Sequence, residues 1–266
     1  MVIAQPLKPR TAPLTVTWEK LPDDFILPDD PVDNVNQPAL AAALTDSLSQ
    51  AGIMDESAFT MTNYGICATV NQKTVVKAPD WAYVAQTKVP RQEIERSYMP
   101  QLQGDIPAIA MEFITAKIGK PYFEKYSNKP THPPGTWFFY ESILQIPYYV
   151  IFEPSSGDVE VYRLNDQGRY TAQIMEENGR YWIESLHLFL GIWQGERENR
   201  TGYWLRWWNQ QDSLLLWSSE YAEQEAQRAE QEAQRAEQEA QRAEQEAQRA
   251  ERLRAQLRAA GIEPED

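Results

Sequence analysis

The sequence predicts an α/β protein, with an α+β mixed sheet, followed by a long C-terminal α-helix. Short alternations of apolar and polar residues recur between positions 60 and 208, which is the pattern of half-buried strands. Residues 38–51 precede them, with apolar side chains spaced three and four apart, as in an amphipathic helix. From Ala222 the chain repeats Ala-Glu-Gln-Glu-Ala-Gln-Arg four times. A helix, a strand-rich region and a separate repeat are not the pattern of a helical bundle.

Three segments follow from this pattern. Residues 1–32 hold six of the 18 prolines and little periodicity, so we expect an extended N-terminal arm. Residues 33–217 form the predicted globular domain, and residues 218–266 form a helical heptad-repeat tail. Within the domain, helices are predicted over 38–51 and 136–144, with a long loop over 116–134 between the third strand and the second helix. Strands are predicted over 60–70, 74–84, 106–115, 148–152, 159–164, 170–175, 180–190 and 202–208.

The charge balance argues against a generally basic nucleic-acid-binding surface. The chain has 39 acidic and 25 basic residues, a net charge of −14. From Ser218 onward there are 13 acids and 7 arginines, a net of −6, which leaves −8 on the body. Since lysine and arginine drive binding to a phosphate backbone, any DNA contact requires a local basic patch, a bound cation or a partner.

The sequence also favours a cytoplasmic protein. Its single cysteine, Cys67, permits no internal disulfide and is expected to be a buried strand residue. The first ten residues lack the apolar region of a signal peptide, and no apolar run approaches the 18 residues of a membrane span.

Two carboxylates in apolar, strand-like runs are the main candidates for function. Asp80 precedes Trp81-Ala82-Tyr83-Val84, and Glu112 lies within Ile109-Ala110-Met111-Glu112-Phe113. A buried carboxylate is costly unless something pairs with it. If their strands are neighbours, the two side chains share one oxygen-ligated cation, typically Mg²⁺ or Mn²⁺.

These residues and several later motifs resemble the Uma2 family over about residues 33–217. The motifs that carry the resemblance are Ala78-Pro79-Asp80, Met111-Glu112-Phe113, Pro133-Pro134-Gly135-Thr136-Trp137-Phe138-Phe139-Tyr140-Glu141, Pro147-Tyr148-Tyr149-Val150-Ile151-Phe152-Glu153-Pro154 and Val159-Glu160-Val161-Tyr162-Arg163-Leu164. The resemblance implies a restriction-endonuclease-like core of the PD-(D/E)xK type. It also implies Mg²⁺-dependent cleavage of DNA, with Asp80 and Glu112 as metal ligands.

The chain departs from the family pattern at the catalytic lysine. In PD-(D/E)xK enzymes this lysine usually lies two residues after the glutamate, where this chain has Ile114. In sequences similar to the Uma2 family it lies four residues before the tyrosine matched by Tyr140, where this chain has Thr136. The candidate substitutes in the intervening loop are Lys117, Lys120, Lys125 and Lys129, and we select Lys129 among them as the catalytic candidate.

Three functions therefore remain open at the level of sequence. The first is a metal-dependent endonuclease with a relocated lysine. The second is a pseudo-nuclease that keeps the fold without turnover. The third is an interaction module that recruits a partner through its C-terminal helix.

The repeat favours a solvated spacer helix or a partner-binding coiled coil. Its alanines form a heptad seam, but glutamates flank that seam on both sides. Parallel self-pairing through the helix would therefore oppose like charges. Homodimerisation through the globular domain stays open, because restriction-endonuclease-like proteins often dimerise to cut both strands.

Overall fold

The computed structural model describes residues 14–22, 25, 35–115 and 135–260. The chain divides into two compact units, the first ending at Leu215 and the second beginning at Leu216. The first unit is a mixed α+β domain and the second is a long helix, so the predicted fold class is confirmed. No helix among the described residues is long and apolar enough to cross a membrane.

The described elements are two helices, a 3-10 turn at Arg91–Glu93 and twelve strands in the first unit, and one helix in the second. Helix α1 is Gln37–Gln50, α2 is an α-helical turn, Thr136–Phe138, that continues as a π-helical turn, Phe139–Leu144, and α3 is Ser218–Ala259. The strands are β1 Val16–Thr17, β2 Phe59–Met61, β3 Ile66–Val70, β4 Lys73–Lys77, β5 Trp81–Val84, β6 Ile109–Phe113, β7 Tyr148–Glu153, β8 Asp158–Leu164, β9 Tyr170–Ala172, β10 Tyr181–Ile183, β11 Leu188–Arg197 and β12 Arg200–Trp208.

A six-stranded sheet with the order β2-β5-β6-β7-β8-β9 forms the centre of the first unit. All neighbours in it are antiparallel except β6 and β7, which are parallel. Parallel neighbours need a crossover connection, and α2 lies in the segment that joins β6 to β7. Two three-stranded sheets, β1-β3-β4 and β10-β11-β12, complete the domain.

The two faces of the central sheet are covered by different elements. On one face, Ala82, Ala110 and Tyr149 join a buried cluster that includes residues of α2 and of the β3–β4 hairpin. On the other face, the indole of Trp81 donates to Thr45 Oγ1 of α1 at 2.9 Å. The Trp81 ring also lies 6.0 Å from that of Trp207 in β12. Strands β5, β6 and β7 are buried on both sides, which explains why they are nearly continuous apolar runs.

Several predicted strands are shorter than expected or divided. The strands predicted over 60–70 and 74–84 are each divided. Their inner parts, β3 and β4, pair as a hairpin, whereas β2 and β5 pair with each other in the central sheet. Pro79 lies between β4 and β5, where the chain passes from the small sheet to the central sheet. Proline has no N–H to donate to a neighbouring strand, so it is usually found where a strand begins or ends. The prediction of one strand over 180–190 was wrong, because a turn at 184–187 divides it into β10 and β11. His187 occupies that turn with a φ of 54°.

Local polar pairs along α3 support a helix in which no residue is buried. Arg228 contacts Glu225 at 2.9 Å with a spacing of three. Each of three glutamines donates to the glutamate four residues earlier, as Gln234 does to Glu230 at 3.3 Å. Such pairs contribute about 0.2–0.5 kcal/mol each to a helix. The coiled coil, the protein partner and the homodimer remain predictions.

Candidate metal centre

Asp80, directly before β5, and Glu112, in the adjacent β6, lie on the same face of the central sheet. The antiparallel ladder of β5 and β6 pairs Trp81 with Met111. One position further along, the same register places Asp80 opposite Glu112. Side chains alternate along a strand, so both carboxylates lie on the face that carries Ala82 and α2. The two acids are 6% and 5% exposed.

The carboxylate of Asp80 is held by donors from two elements. Its Oδ2 accepts the backbone N–H of Phe113 at 2.5 Å and the amide Nε2 of Gln37 at 3.3 Å. Phe113 is the neighbour of Glu112 in β6, so this bond also ties the two acidic positions together. An ionised acceptor makes both hydrogen bonds stronger than neutral ones.

Glu112 is oriented by the fully buried Tyr140 of α2. The Tyr140 hydroxyl donates to Glu112 Oε1 at 3.0 Å. Burial raises the pKa of Tyr140 well above its ordinary value, and the negative charges of Glu112 and Asp80 raise it further. The phenol is therefore a hydrogen-bond donor at neutral pH. Glu112 therefore contacts Tyr140 directly, and its neighbour Phe113 holds Asp80 beside the same end of β6.

The donor set fits a hard divalent cation. Carboxylate oxygens are the ligands that Mg²⁺ and Mn²⁺ prefer, and a shared cation offsets the cost of burying two negative charges together. Within residues 35–115 and 135–260, no group of three or more histidine, cysteine, aspartate or glutamate side chains is arranged to hold a metal. A cation here would be a two-carboxylate ion that keeps several waters, which is the usual form of Mg²⁺ in phosphate chemistry.

The lysine predicted for the site falls outside the described chain. Lys129 lies in the segment 116–134, as do the other lysines of that loop. Thr136 is the first residue of α2, one turn before Tyr140, and is 7% exposed. The position at which the family resemblance predicts a lysine is thus a buried, uncharged site at the start of the helix that orients Glu112.

The aromatic residues that neighbour the acid pair form part of the core rather than a surface. Phe139 and Tyr140 are fully buried. Trp137 is half-buried and packs its ring against Tyr149, Tyr162 and Tyr170 at centroid distances of 5.6, 4.7 and 5.5 Å. This packing fixes the start of α2 and hence the position of the Tyr140 hydroxyl.

Sequence reasoning missed Gln37 and did not foresee the contact of Tyr140 with Glu112. Gln37 is the first residue of α1 and is 6% exposed. A buried glutamine in a first helical turn is unusual, because glutamine is mostly exposed in proteins. The burial of Gln37 is what identifies it as a residue of the site, and only the structure shows that burial.

Cys67 is 2% exposed in β3, and burial raises the pKa of its thiol. The prediction that Cys67 is a buried strand residue is confirmed.

A cleft of about 470 Å³ lies away from the carboxylates. Lys20, Leu21, Glu93, Arg96 and Met99 are among its lining residues, and neither Asp80 nor Glu112 borders it. Mixed charges beside apolar side chains give it no evident chemistry, so the acid pair is the candidate site.

The mixed sheet carries one buried acid in β6 and another directly before β5, the arrangement expected of a nuclease-like protein. Residues 23–195 match the model of the Uma2 family, described as "Putative restriction endonuclease". The match covers more than half of the 266 residues, so the chain belongs to the Uma2 family. Membership supports a nuclease-like function in general terms, and with it a divalent metal and DNA binding. No curated protein matches the chain.

Proposed function

We propose that this protein is a divalent-cation-dependent DNA endonuclease in which Asp80 and Glu112 hold Mg²⁺ or Mn²⁺. The observation that carries the proposal is a pair of buried carboxylates at neighbouring positions, with the N–H of Phe113 on Asp80 and the hydroxyl of Tyr140 on Glu112. A cation bound there would polarise a phosphoryl oxygen and lower the pKa of a bound water.

The chain's own residues would bind and orient that cation. Asp80 and Glu112 supply the oxygen ligands. The N–H of Phe113 fixes one oxygen of Asp80, and the hydroxyl of Tyr140 fixes one oxygen of Glu112. Outer donors of this kind fix ligand orientation and are usually important for affinity. We assign to Lys129 the ammonium that would offset the charge developing on the phosphate.

The negative charge of the chain fits a metal-dependent mode of DNA binding. With 39 acids against 25 bases, the protein gains little from general attraction to phosphates. A cation at the acid pair turns a locally negative site into one that accepts a phosphate oxygen. We therefore expect DNA binding at the site to depend on the metal.

Calorimetric titration with Mn²⁺ is the first test. The parent should bind one Mn²⁺, and Asp80→Ala and Glu112→Ala should each abolish that binding. Glu153→Gln is the matched control, because Glu153 is 5% exposed at the end of β7 and accepts N–H donors from Ser155 and Ser156. It should bind like the parent. A parent that binds no Mn²⁺ would overturn the proposal.

A catalytically lapsed nuclease is the second candidate, favoured by the buried, uncharged Thr136. Plasmid nicking with Mg²⁺ separates the two candidates, with Asp80→Ala as the inactive reference. Nicking by the parent supports the active enzyme, and Lys129→Met should then reduce it while Lys88→Met does not. If only Thr136→Lys nicks, the protein keeps the metal site without turnover.

A further inference from the structure

We infer that Gln37 is a positioning residue that sets the carboxylate of Asp80 for cation binding. The inference rests on the proposed function and extends it to the first turn of α1. Gln37 is polar yet only 6% exposed, and it lies 43 residues before Asp80 in the sequence. Burying a primary amide is costly unless its hydrogen bonds are made, so its contacts decide its role.

The amide of Gln37 joins the two strands at the acid pair. Its Nε2 donates to Asp80 Oδ2 at 3.3 Å and to the carbonyl oxygen of Phe113 at 3.1 Å. The N–H of Phe113 donates to the same Oδ2 at 2.5 Å. The Gln37 amide, the Phe113 backbone and the Asp80 carboxylate are thus joined pairwise by three hydrogen bonds.

These side-chain hydrogen bonds join the two strands beyond the end of their backbone ladder. The last backbone pair of β5 and β6 is Trp81 with Met111. Beyond it, the Asp80 side chain is an acceptor for the Phe113 N–H, and Gln37 bonds to both partners. The orientation of the carboxylate is consequently fixed when the chain folds. A ligand that is fixed beforehand loses less conformational freedom when the ion binds.

The neutral amide suits this position better than a charged donor would. Lysine or arginine at position 37 would also donate to Asp80, but its positive charge would compete with the cation for the same carboxylate. Glutamine supplies the donor without that competition. The residue type, its burial and its two hydrogen bonds therefore agree on one role.

Gln37→Met is the test, because methionine has a similar length and no donor. Affinity for Mn²⁺ is measured by calorimetry on the full chain, and the amide resonance of Phe113 is followed by NMR in metal-free protein. We expect about tenfold weaker Mn²⁺ binding, as for other lost outer donors. We also expect the Phe113 amide proton to shift as the Asp80 carboxylate reorients.

Two further variants keep the test decisive. Gln37→Asn retains the amide but withdraws it by one bond, about 1.5 Å, and it should weaken Mn²⁺ binding similarly if Gln37→Met folds poorly. Ser47→Ala is the control, since Ser47 is fully buried in the same helix and donates only locally, to Ala43 and Leu44. It should lower the melting temperature without changing Mn²⁺ affinity.

The outcomes separate the two proposals. A parent that binds no Mn²⁺ overturns the proposed function and this inference with it. A parent that binds Mn²⁺, with unchanged affinity in both Gln37 variants, overturns only the role of Gln37. A loss of affinity in Ser47→Ala as large as in Gln37→Met also overturns it, because the effect would then be general destabilisation of α1.

Discussion

Removing the Tyr140 hydroxyl tests the centre of the site without requiring any cation. Tyr140→Phe keeps the ring, which lies 5.3 Å from the ring of Tyr149 and 6.1 Å from that of Phe139. It deletes only the donor to Glu112 Oε1, at 3.0 Å. Tyrosine and carboxylate are both buried, so water cannot readily replace the lost bond.

The size of the effect follows from the charge on the acceptor. A hydrogen bond to a charged group contributes about 1.5–3 kcal/mol, and a neutral one about 0.5–1.5 kcal/mol. For a domain of this size, 1 kcal/mol shifts the melting temperature by about 2–4 °C. Tyr140→Phe should therefore lower it by about 3–12 °C. Tyr170→Phe is the matched control, since Tyr170 donates to the carbonyl oxygen of Ile146 at 2.9 Å.

Urea and thermal unfolding followed by tryptophan fluorescence are the assays. Eight of the nine tryptophans precede Leu216, so this signal reports the sheet domain rather than the C-terminal helix. The measurements are made with a chelator at pH 7. If Tyr140→Phe costs no more free energy of unfolding than Tyr170→Phe, the charge-assisted bond to Glu112 is refuted.

Two further predictions concern the neighbouring positions. Hydrogen bonds from Ser156 and Ser155 lower the pKa of Glu153 despite the opposing effect of burial. A carboxyl with a lowered folded pKa stabilises the protein above its unfolded value of about 4.3, and the stabilisation is lost as pH falls through the folded pKa. Glu153→Gln should thus reduce the urea midpoint at pH 7 and progressively less toward pH 3, and an equal loss at every pH would contradict this. Thr136→Lys should lower the melting temperature, because it places an ammonium group at a position that is 7% exposed. The same variant should nick plasmid DNA with Mg²⁺ more than Thr136→Met does.

The sequence predicted the acid pair because its signal is local. One carboxylate in an apolar strand is recognisable from its neighbours, and two such strands suggest pairing. The register between β5 and β6 depends on the segment 85–108, which connects these two strands. That segment has no regular alternation of apolar and polar residues from which the register could be predicted. Adjacency was therefore predictable for Asp80 and Glu112, whereas the shared face needed the structure.

Other features depend on distant contacts that periodicity does not encode. Gln37 is defined by its contacts with Asp80 and Phe113, 43 and 76 residues away. The division at 184–187 was missed because Glu-Ser-Leu-His contains no glycine, proline or asparagine to mark a turn. By contrast, Asn71 and Gln72 both adopt positive φ in the β3–β4 hairpin, and they fall between the strands predicted over 60–70 and 74–84.

Because α3 is built from seven-residue repeats, gaining or losing a repeat would change the length of the helix with little rotation of its far end. At about 1.5 Å per residue, one seven-residue unit adds about 10.5 Å. Seven residues fall only about 20° short of two full turns, so gaining or losing a unit moves the far end along the axis and hardly rotates it. Recombination between identical repeats would therefore change the length of the helix in equal steps. Each Ala, Glu, Gln and Arg would stay on nearly the same side of the helix.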